Sequence, residues 1–287
     1  MSHTDALGLR AGVAKEYEDK LNQSGGFCAH QLETEFGYSE AELQSVPEEA
    51  KGSSFGCANP MALGRIQPGD VVLDLGCGAG MDVMLAAKLV GDQGRVIGVD
   101  MTGAMVGRAR QNIEAAGLQG VAEIRRGLIE SLPVESNSVD WVISNCVVSL
   151  SPEKDLVFAE VFRVLKPGGR MLLTDLVMAP IPGWLRALVA LKSPASAKAL
   201  DRGRYLDTIR NAGLVEVTLR SQLDYDAAML RGLVEAELNL HKGFGQALLT
   251  LDSGQLISNL LKPMIGPASS FAENKVSSIK VYAEKPQ

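Results

Sequence analysis

The stretch Asp74-Leu75-Gly76-Cys77-Gly78-Ala79-Gly80 lies between the apolar run 71–75 and an apolar helical pattern that begins near Met81. Three glycines in such a strand-to-helix turn let the backbone approach a ligand closely. A dinucleotide-binding loop has the spacing G-x-G-x-x-G, whereas here the third glycine comes one residue early. The loop therefore predicts a nucleotide-side binding site, and its spacing disfavours a nicotinamide dinucleotide.

The fold class follows from the pattern around this loop. Short β-rich runs, separated by amphipathic helical segments, occupy residues 71–75, 95–99, 121–126, 139–144, 170–177, 214–221 and 276–283. This alternation is typical of a parallel sheet covered by helices on both faces. We therefore predict an α/β, doubly wound, Rossmann-like sheet whose last strand returns antiparallel. The predicted divisions are an N-terminal arm over 1–60, a cofactor-binding core over 61–222, and a helical insertion with the final strand over 223–287.

Composition sets limits on the function. The chain has 287 residues, 46% hydrophobic and 22% charged, with a net charge of −6. An acidic balance of this kind disfavours nucleic acid as a partner, because a phosphate backbone requires a basic face. Since the first residues lack an apolar signal core and no run reaches about 18 apolar residues, we expect a cytoplasmic protein that does not enter a membrane. In that compartment its four cysteines should be reduced thiols. The histidines show no metal-ligand spacing, and no metal is predicted.

The acid-glycine loop resembles that of the class I S-adenosylmethionine methyltransferases, and the resemblance implies S-adenosylmethionine as the cofactor. Its expected ligands include Asp74 and the three loop glycines, Gly76, Gly78 and Gly80. Asp100 ends the next strand, where a carboxylate is placed to accept hydrogen bonds from both ribose hydroxyls. Beside it, Met101 is expected against the adenine face, although a packing role is the simple alternative, and Thr102 is expected to bind the cofactor.

The adenine end of the site is predicted after the third strand. The family usually has an acidic or polar residue at the position that Leu128 occupies, so we expect the backbone at Leu128 and Ile129 to line the adenine pocket. Glu130 either takes over the side-chain hydrogen bond or faces solvent. After the fourth strand, Asn145 is expected to contact the cofactor, and Cys146 to face the reacting methyl group.

Several motifs together resemble the bacterial arsenite S-adenosylmethionine methyltransferases, over roughly residues 15–178. They are Gly37-Tyr38-Ser39-Glu40, Gly56-Cys57-Ala58-Asn59-Pro60, Val99-Asp100-Met101-Thr102 and Ser144-Asn145-Cys146-Val147. The resemblance implies that Cys57 and Cys146 bind trivalent arsenic, and thiolates are the natural ligands of such a soft atom. Cys28 falls where the family has an N-terminal thiol pair. Cys77, inside the glycine loop, is expected to be structural.

One departure from the family leaves the acceptor open. Family members commonly carry another cysteine after the fifth strand, whereas this chain has none beyond Cys146. Cys28, or an external thiol such as glutathione, could supply a third arsenic ligand. The alternatives are a related methyltransferase that acts on a carbon, oxygen, nitrogen or sulfur atom of an organic small molecule, and a non-catalytic module that senses an arsenical or the cofactor.

Overall fold

The computed structural model describes residues 3–22, 38–47, 50, 59–61, 64–183, 186, 199–230 and 273–287. In chain order its helices are α1 (His3–Asn22), α2 (Glu40–Gln44), α3 (Met81–Val90), α4 (Gly103–Ala115), α5 (Lys154–Val164) and α6 (Arg202–Asn211). Its strands are β1 (Val71–Leu75), β2 (Arg95–Asp100), β3 (Ala122–Arg126), β4 (Val139–Asn145), β5 (Leu165–Met178), β6 (Val215–Asp224) and β7 (Val276–Glu284). The predicted helical insertion before β7 lies largely outside the described residues.

The seven strands form one sheet in the order β3-β2-β1-β4-β5-β7-β6. Strands β1 to β5 are parallel, while β7 runs antiparallel to both of its neighbours. The predicted doubly wound α/β sheet with a returning last strand is therefore confirmed. The strand order reverses between β1 and β4, because the chain adds β2 and β3 on one side of β1 and β4 and β5 on the other. Such sheets bind ligands in the crevice beyond the carboxyl ends of the strands at this point.

Alternating side chains of the central strands point to opposite faces of the sheet and pack into two apolar layers. Leu73 and Leu75 of β1 pack with α5 and α6 on one face, where Phe158 and Tyr205 meet edge to face with ring centroids 5.6 Å apart. Val72 points to the other face, which α3 and α4 cover. Both layers are buried, so they hold the carboxyl ends of β1, β2 and β4 as a rigid platform.

The local sequence explains the helix ends. Ser39 caps α2 in a capping box with Glu42, and Asp201 caps α6 by accepting from the backbone of Arg204. The sequence Ser151-Pro152-Glu153 predicts a helix capped by Ser151. This prediction is wrong by two residues, because α5 begins at Lys154 with Glu153 as its cap residue. The Ser151 hydroxyl instead accepts from the backbone N–H of Glu153, a turn that competes with helix initiation.

Strand β5 begins five residues before the predicted start at 170. Val139 of β4 pairs with Leu165, and pairing then shifts so that Trp141 faces Arg170. The intervening sequence Lys166-Pro167-Gly168-Gly169 predicts a turn between the preceding helix and the strand. In the structure it forms an irregularity inside β5 and not the boundary of the strand. Gly168 has a φ of 73°, the left-handed conformation that glycine adopts without strain.

Candidate active site

The glycine loop after β1 folds back on the end of β2. The backbone N–H groups of Gly76 and Cys77 both donate to the carbonyl of Val99, at 2.7 and 3.0 Å. Gly76 has a φ of 67°, and a Cβ atom added there would lie 2.5 Å from both Cγ atoms of Val147. Glycine is therefore required at position 76 for two reasons, its backbone conformation and the close approach of the loop after β4.

Asp100 connects this loop to the end of β2. Its Oδ2 accepts from the backbone N–H of Gly78 at 3.0 Å, and its Oδ1 accepts from the backbone N–H of Thr102 at 2.8 Å. Burial raises the pKa of Asp100, and these hydrogen bonds work in the opposite direction. The carboxylate is thus fixed at the carboxyl edge of the sheet, with both oxygens anchored to backbone.

Two further carboxyl groups lie beside it in buried positions. Asp82, in the first turn of α3, accepts from the Tyr38 hydroxyl at 2.8 Å and from Nδ2 of Asn145 at 3.1 Å. Burial raises the pKa of Asp82 to about 6, although both hydrogen bonds lower it. Burial also raises the pKa of Asp74 well above its usual value, and the nearby Asp82 and Asp100 carboxyl groups add to this effect. A cation in the cleft would favour ionisation of all three groups.

Cys146 follows β4 directly and lines the same cleft. It has a φ of 58°, unusual for a residue with a side chain, and its N–H donates to the carbonyl of Thr174 at 2.8 Å. Cys146 is disulfide-bonded, and the partner lies outside the described residues. The expectation of four reduced thiols is therefore wrong for Cys146, because spacing along the chain does not show which thiols meet in space.

Cys77 differs from Cys146. It is a free, buried thiol, and burial together with the Asp74 and Asp100 carboxyl groups raises its pKa well above the usual value. A Cβ atom added at Gly98 would lie 2.9 Å from the Cys77 sulfur, so the thiol packs tightly against β2. A thiol with a raised pKa is a poor nucleophile and metal ligand. This environment agrees with the structural role predicted for Cys77.

Helix α1 forms part of the wall of the cleft. Arg10, Val13 and Tyr17 line the cleft, and their spacing places them on one face of the helix. The Arg10 guanidinium pairs with the carboxylates of Glu130, after β3, and Glu153, before α5. Glu130 therefore does not face solvent, since its side chain is only 6% exposed and lines the cleft. Sequence analysis missed all three α1 residues, although their i, i+3, i+7 spacing is a visible signal.

The cleft encloses about 970 Å³ of free space, its mouth included. Of the residues predicted to bind cofactor, its lining includes Asp74, Gly76, Gly78, Asp100, Met101, Thr102, Ile129 and Asn145. Two predicted cofactor ligands do not line the cleft. Gly80 is the N-cap residue of α3 and lies close to Ala109, and Leu128 forms an isolated β-bridge with Ser131. Cys28 and Cys57 lie outside the described residues. Four carboxyl groups and one guanidinium among the lining side chains give the cleft a negative balance, which suits a cationic ligand.

This architecture, with a glycine loop after β1, an acidic residue at the end of β2 and an antiparallel β7, defines a Rossmann-like methyltransferase domain. A family model described as "Methyltransferase domain" matches residues 66–213, about half of the chain. The chain belongs to this methyltransferase family, and the prediction of an S-adenosylmethionine-dependent methyltransferase is confirmed at the level of the family.

Individual relatives are more specific. The chain is 44% identical to an arsenite methyltransferase of Halobacterium salinarum over 60% of its own length and 46% of that protein's. It is 39% identical to an arsenite methyltransferase of Aquipseudomonas alcaligenes, over 46% and 40% of the two chains. A crystal structure of an arsenic (III) S-adenosylmethionine methyltransferase from Chlamydomonas reinhardtii superimposes with a TM-score of 0.63 at 28% identity, covering 86% of this chain and 72% of that one.

These matches confirm the resemblance to arsenite methyltransferases that the motifs indicated. The chain spans less than half the length of the two curated relatives. Among the helices that the structure describes, none combines the length and the apolar character needed to cross a bilayer.

Proposed function

We propose that the chain transfers a methyl group from S-adenosylmethionine to trivalent arsenic held by Cys57 and Cys146. The observation that carries this proposal is the position of Cys146, which lines the cofactor cleft at the end of β4 and is bonded through its sulfur to a second cysteine. Reduction of that bond frees the Cys146 thiol, which lines the cleft, together with the thiol of its partner. Neighbouring thiolates are the ligands that a soft, thiophilic arsenic atom prefers.

The described residues suit the cofactor. A Cβ atom added at Gly78 would meet nothing within 4 Å, so a ligand can approach the backbone closely there. Asp100 ends β2, and a carboxylate at the end of this strand suits the hydroxyl groups of a ribose. The negative balance of the cleft fits a molecule that carries positive charge on both its ammonium and its sulfonium group. Bound S-adenosylmethionine supplies an electrophilic methyl group on that sulfonium sulfur. Asp74 and Asp82 are the buried carboxyl groups that would compensate this charge.

Methyl transfer to arsenic requires that the arsenic lone pair, the methyl group and the sulfonium sulfur are aligned, and it requires no proton acceptor. Trivalent arsenic bound through sulfur keeps a lone pair, and this lone pair is the nucleophile, so no general base is needed. Two protein thiolates leave one ligand position on arsenic. Cys28 or an external thiol such as glutathione fills it in this proposal, because the chain has no cysteine after Cys146.

The named relatives support arsenic as the acceptor, since two of them are called arsenite methyltransferases and a third an arsenic (III) methyltransferase. The competing proposal, an organic small-molecule acceptor, predicts methyl transfer that does not require the cysteines. A sensor predicts binding of arsenical and cofactor without turnover.

The test is incubation of the reduced protein with S-adenosylmethionine, arsenite and glutathione, followed by chromatographic separation of the arsenic species. Methylated arsenic is expected with the unmodified chain, and none with Cys57→Ser or Cys146→Ser. Both variants should still bind S-adenosylhomocysteine normally, which separates loss of the acceptor site from loss of the cofactor site.

Cys28→Ser shows whether this residue or glutathione is the third ligand of arsenic. Activity that survives the change and depends on glutathione assigns the role to the external thiol. Absence of methylated arsenic from the unmodified chain, or full activity in both of the first two variants, would disprove the proposal.

A further inference from the structure

Three elements that are distant in the sequence meet at the Arg10 side chain. Its guanidinium lies 3.2 Å from Oε1 of Glu130 and also bonds to Oε2 of Glu153, across 120 and 143 residues of sequence. The Arg10 side chain is only 12% exposed. This pairing is therefore partly shielded from water, and it fastens α1 to the loops that follow β3 and β4.

The hydrogen bonds to Glu130 are unevenly distributed between its two carboxylate oxygens. Oε1 accepts from Arg10 and also from the Ser151 hydroxyl at 2.6 Å. In the described part of the chain, no hydrogen bond to Oε2 is recorded, and this oxygen is not among the buried polar atoms that lack a partner. Because the side chain is only 6% exposed and lines the cleft, Oε2 remains accessible from the cleft. The arrangement fixes one oxygen and leaves the other oriented for a ligand.

We propose that Arg10 is a positioning residue for the cofactor: it holds Glu130 so that Oε2 accepts a hydrogen bond from the 6-amino group of adenine. Glu130 follows β3, whereas Asp100 ends the neighbouring strand β2. A ribose held at Asp100 directs the attached base toward the β3 side of the cleft, where Ile129 and Glu130 form the wall. Adenine presents an N–H donor there, and a carboxylate oxygen accepts such a hydrogen bond.

The proposal explains why the pocket does not need a side-chain acceptor at Leu128. It also gives α1 an indirect part in binding the cofactor, since Arg10 acts by orienting Glu130 and not by touching the base. The inference depends on S-adenosylmethionine binding and is independent of the methyl acceptor, so arsenic does not enter its test.

The experiment measures affinities and dissociation rates of S-adenosylmethionine and S-adenosylhomocysteine by calorimetry and stopped-flow, for the unmodified chain, Arg10→Gln and Arg10→Lys. Arg10→Gln should weaken both ligands equally, by about tenfold, mainly through faster dissociation. Arg10→Lys should recover part of this loss, because an ammonium group still pairs with Glu130. Arg95→Gln is the matched control: it removes another arginine–glutamate pair, at the opposite edge of the sheet, and should leave both affinities unchanged.

The decisive ligand is S-inosylhomocysteine, in which a carbonyl oxygen replaces the 6-amino group. It should bind weakly to the unmodified chain, and Arg10→Gln should not weaken it further, because there is no amino donor for Glu130 to accept. Equal weakening of the adenine and hypoxanthine ligands would assign Arg10 a general role in closing α1 and would overturn the proposal, as would unchanged affinity of Arg10→Gln for S-adenosylhomocysteine. If Arg10→Gln does not fold, Ser151→Ala, which removes the other donor to Oε1, must show the same dependence on the amino group.

Discussion

The hydroxyl of Tyr38 donates a 2.8 Å hydrogen bond to Oδ1 of Asp82, so a residue just before α2 reaches a buried carboxyl group at the start of α3. Asn145 donates to the other oxygen of the same carboxyl group and also to the Tyr38 hydroxyl, at 3.0 Å. Because Asn145 immediately precedes Cys146, this network joins the segment before α2, the start of α3 and the proposed acceptor site.

Tyr38→Phe is expected to destabilise the protein by about 1.5–3 kcal/mol, because it leaves a buried carboxyl group with one donor fewer. The measurement is urea unfolding at pH 7.5. Tyr225→Phe is the control, since Tyr225 is also buried but its hydroxyl makes no hydrogen bond recorded in the described residues. Equal effects of the two changes would show that the Tyr38 hydrogen bond contributes nothing beyond packing.

The raised pKa of Asp82 predicts a pH dependence of stability. Its pKa is about 6 in the folded chain, against about 3.9 in an unfolded one. A carboxyl group with a raised folded pKa contributes stability that is full below about pH 4 and is lost as the pH rises through about 6. The difference corresponds to roughly 3 kcal/mol.

Asp82→Asn does not titrate and should lack this loss. The free energy of unfolding of the unmodified protein, without ligand, should therefore fall relative to that of Asp82→Asn between pH 4.5 and 7.5. Taking the difference between the two proteins cancels only the groups whose titration the substitution leaves unchanged. Because the Asp82 carboxyl group also raises the pKa of Asp74, the difference reports these two groups together. Parallel curves over this range would contradict a pKa near 6.

Gly76→Ala should destabilise the protein by roughly 3 kcal/mol and abolish cofactor binding, because the new methyl group would overlap Val147 and the left-handed backbone would be strained. Gly107→Ala is the matched control on the exposed face of α4, where an added Cβ meets nothing within 4 Å. It should stabilise the protein by about 0.5–1 kcal/mol. The double variant Gly76→Ala/Val147→Ala should regain part of the lost stability, because the smaller side chain at 147 relieves the overlap. If it regains none, the destabilisation by Gly76→Ala comes from backbone strain alone.

The sheet and the glycine loop were predictable because both depend on local signals: apolar runs of strand length, amphipathic helices and glycine where the chain must turn. The same signals do not show which residues meet across the cleft. Asp82 looks in the sequence like an ordinary acidic residue in a first helical turn, and Arg10 like a solvated charge on a polar helix. Their partners, Tyr38 and Glu130, are 44 and 120 residues away. Tertiary packing alone brings these groups together.

Asp100→Ala removes the acceptor for two backbone donors, the N–H groups of Gly78 and Thr102, and should lower stability by about 1–3 kcal/mol. Affinity for S-adenosylhomocysteine should fall at least about tenfold, because the change also removes the expected acceptor for the ribose hydroxyls. Asp92→Ala, in the exposed turn before β2, is the control and should change neither quantity.

The ribose contribution of Asp100 can be separated from its structural one with the 2′-deoxy analogue of S-adenosylhomocysteine. The unmodified chain should prefer the ribose form, measured by calorimetry, whereas Asp100→Ala should bind the two forms with closer affinities. A preference that survives the substitution unchanged would mean that Asp100 acts by holding the glycine loop, and that the 2′-hydroxyl is bound by another group of the cleft.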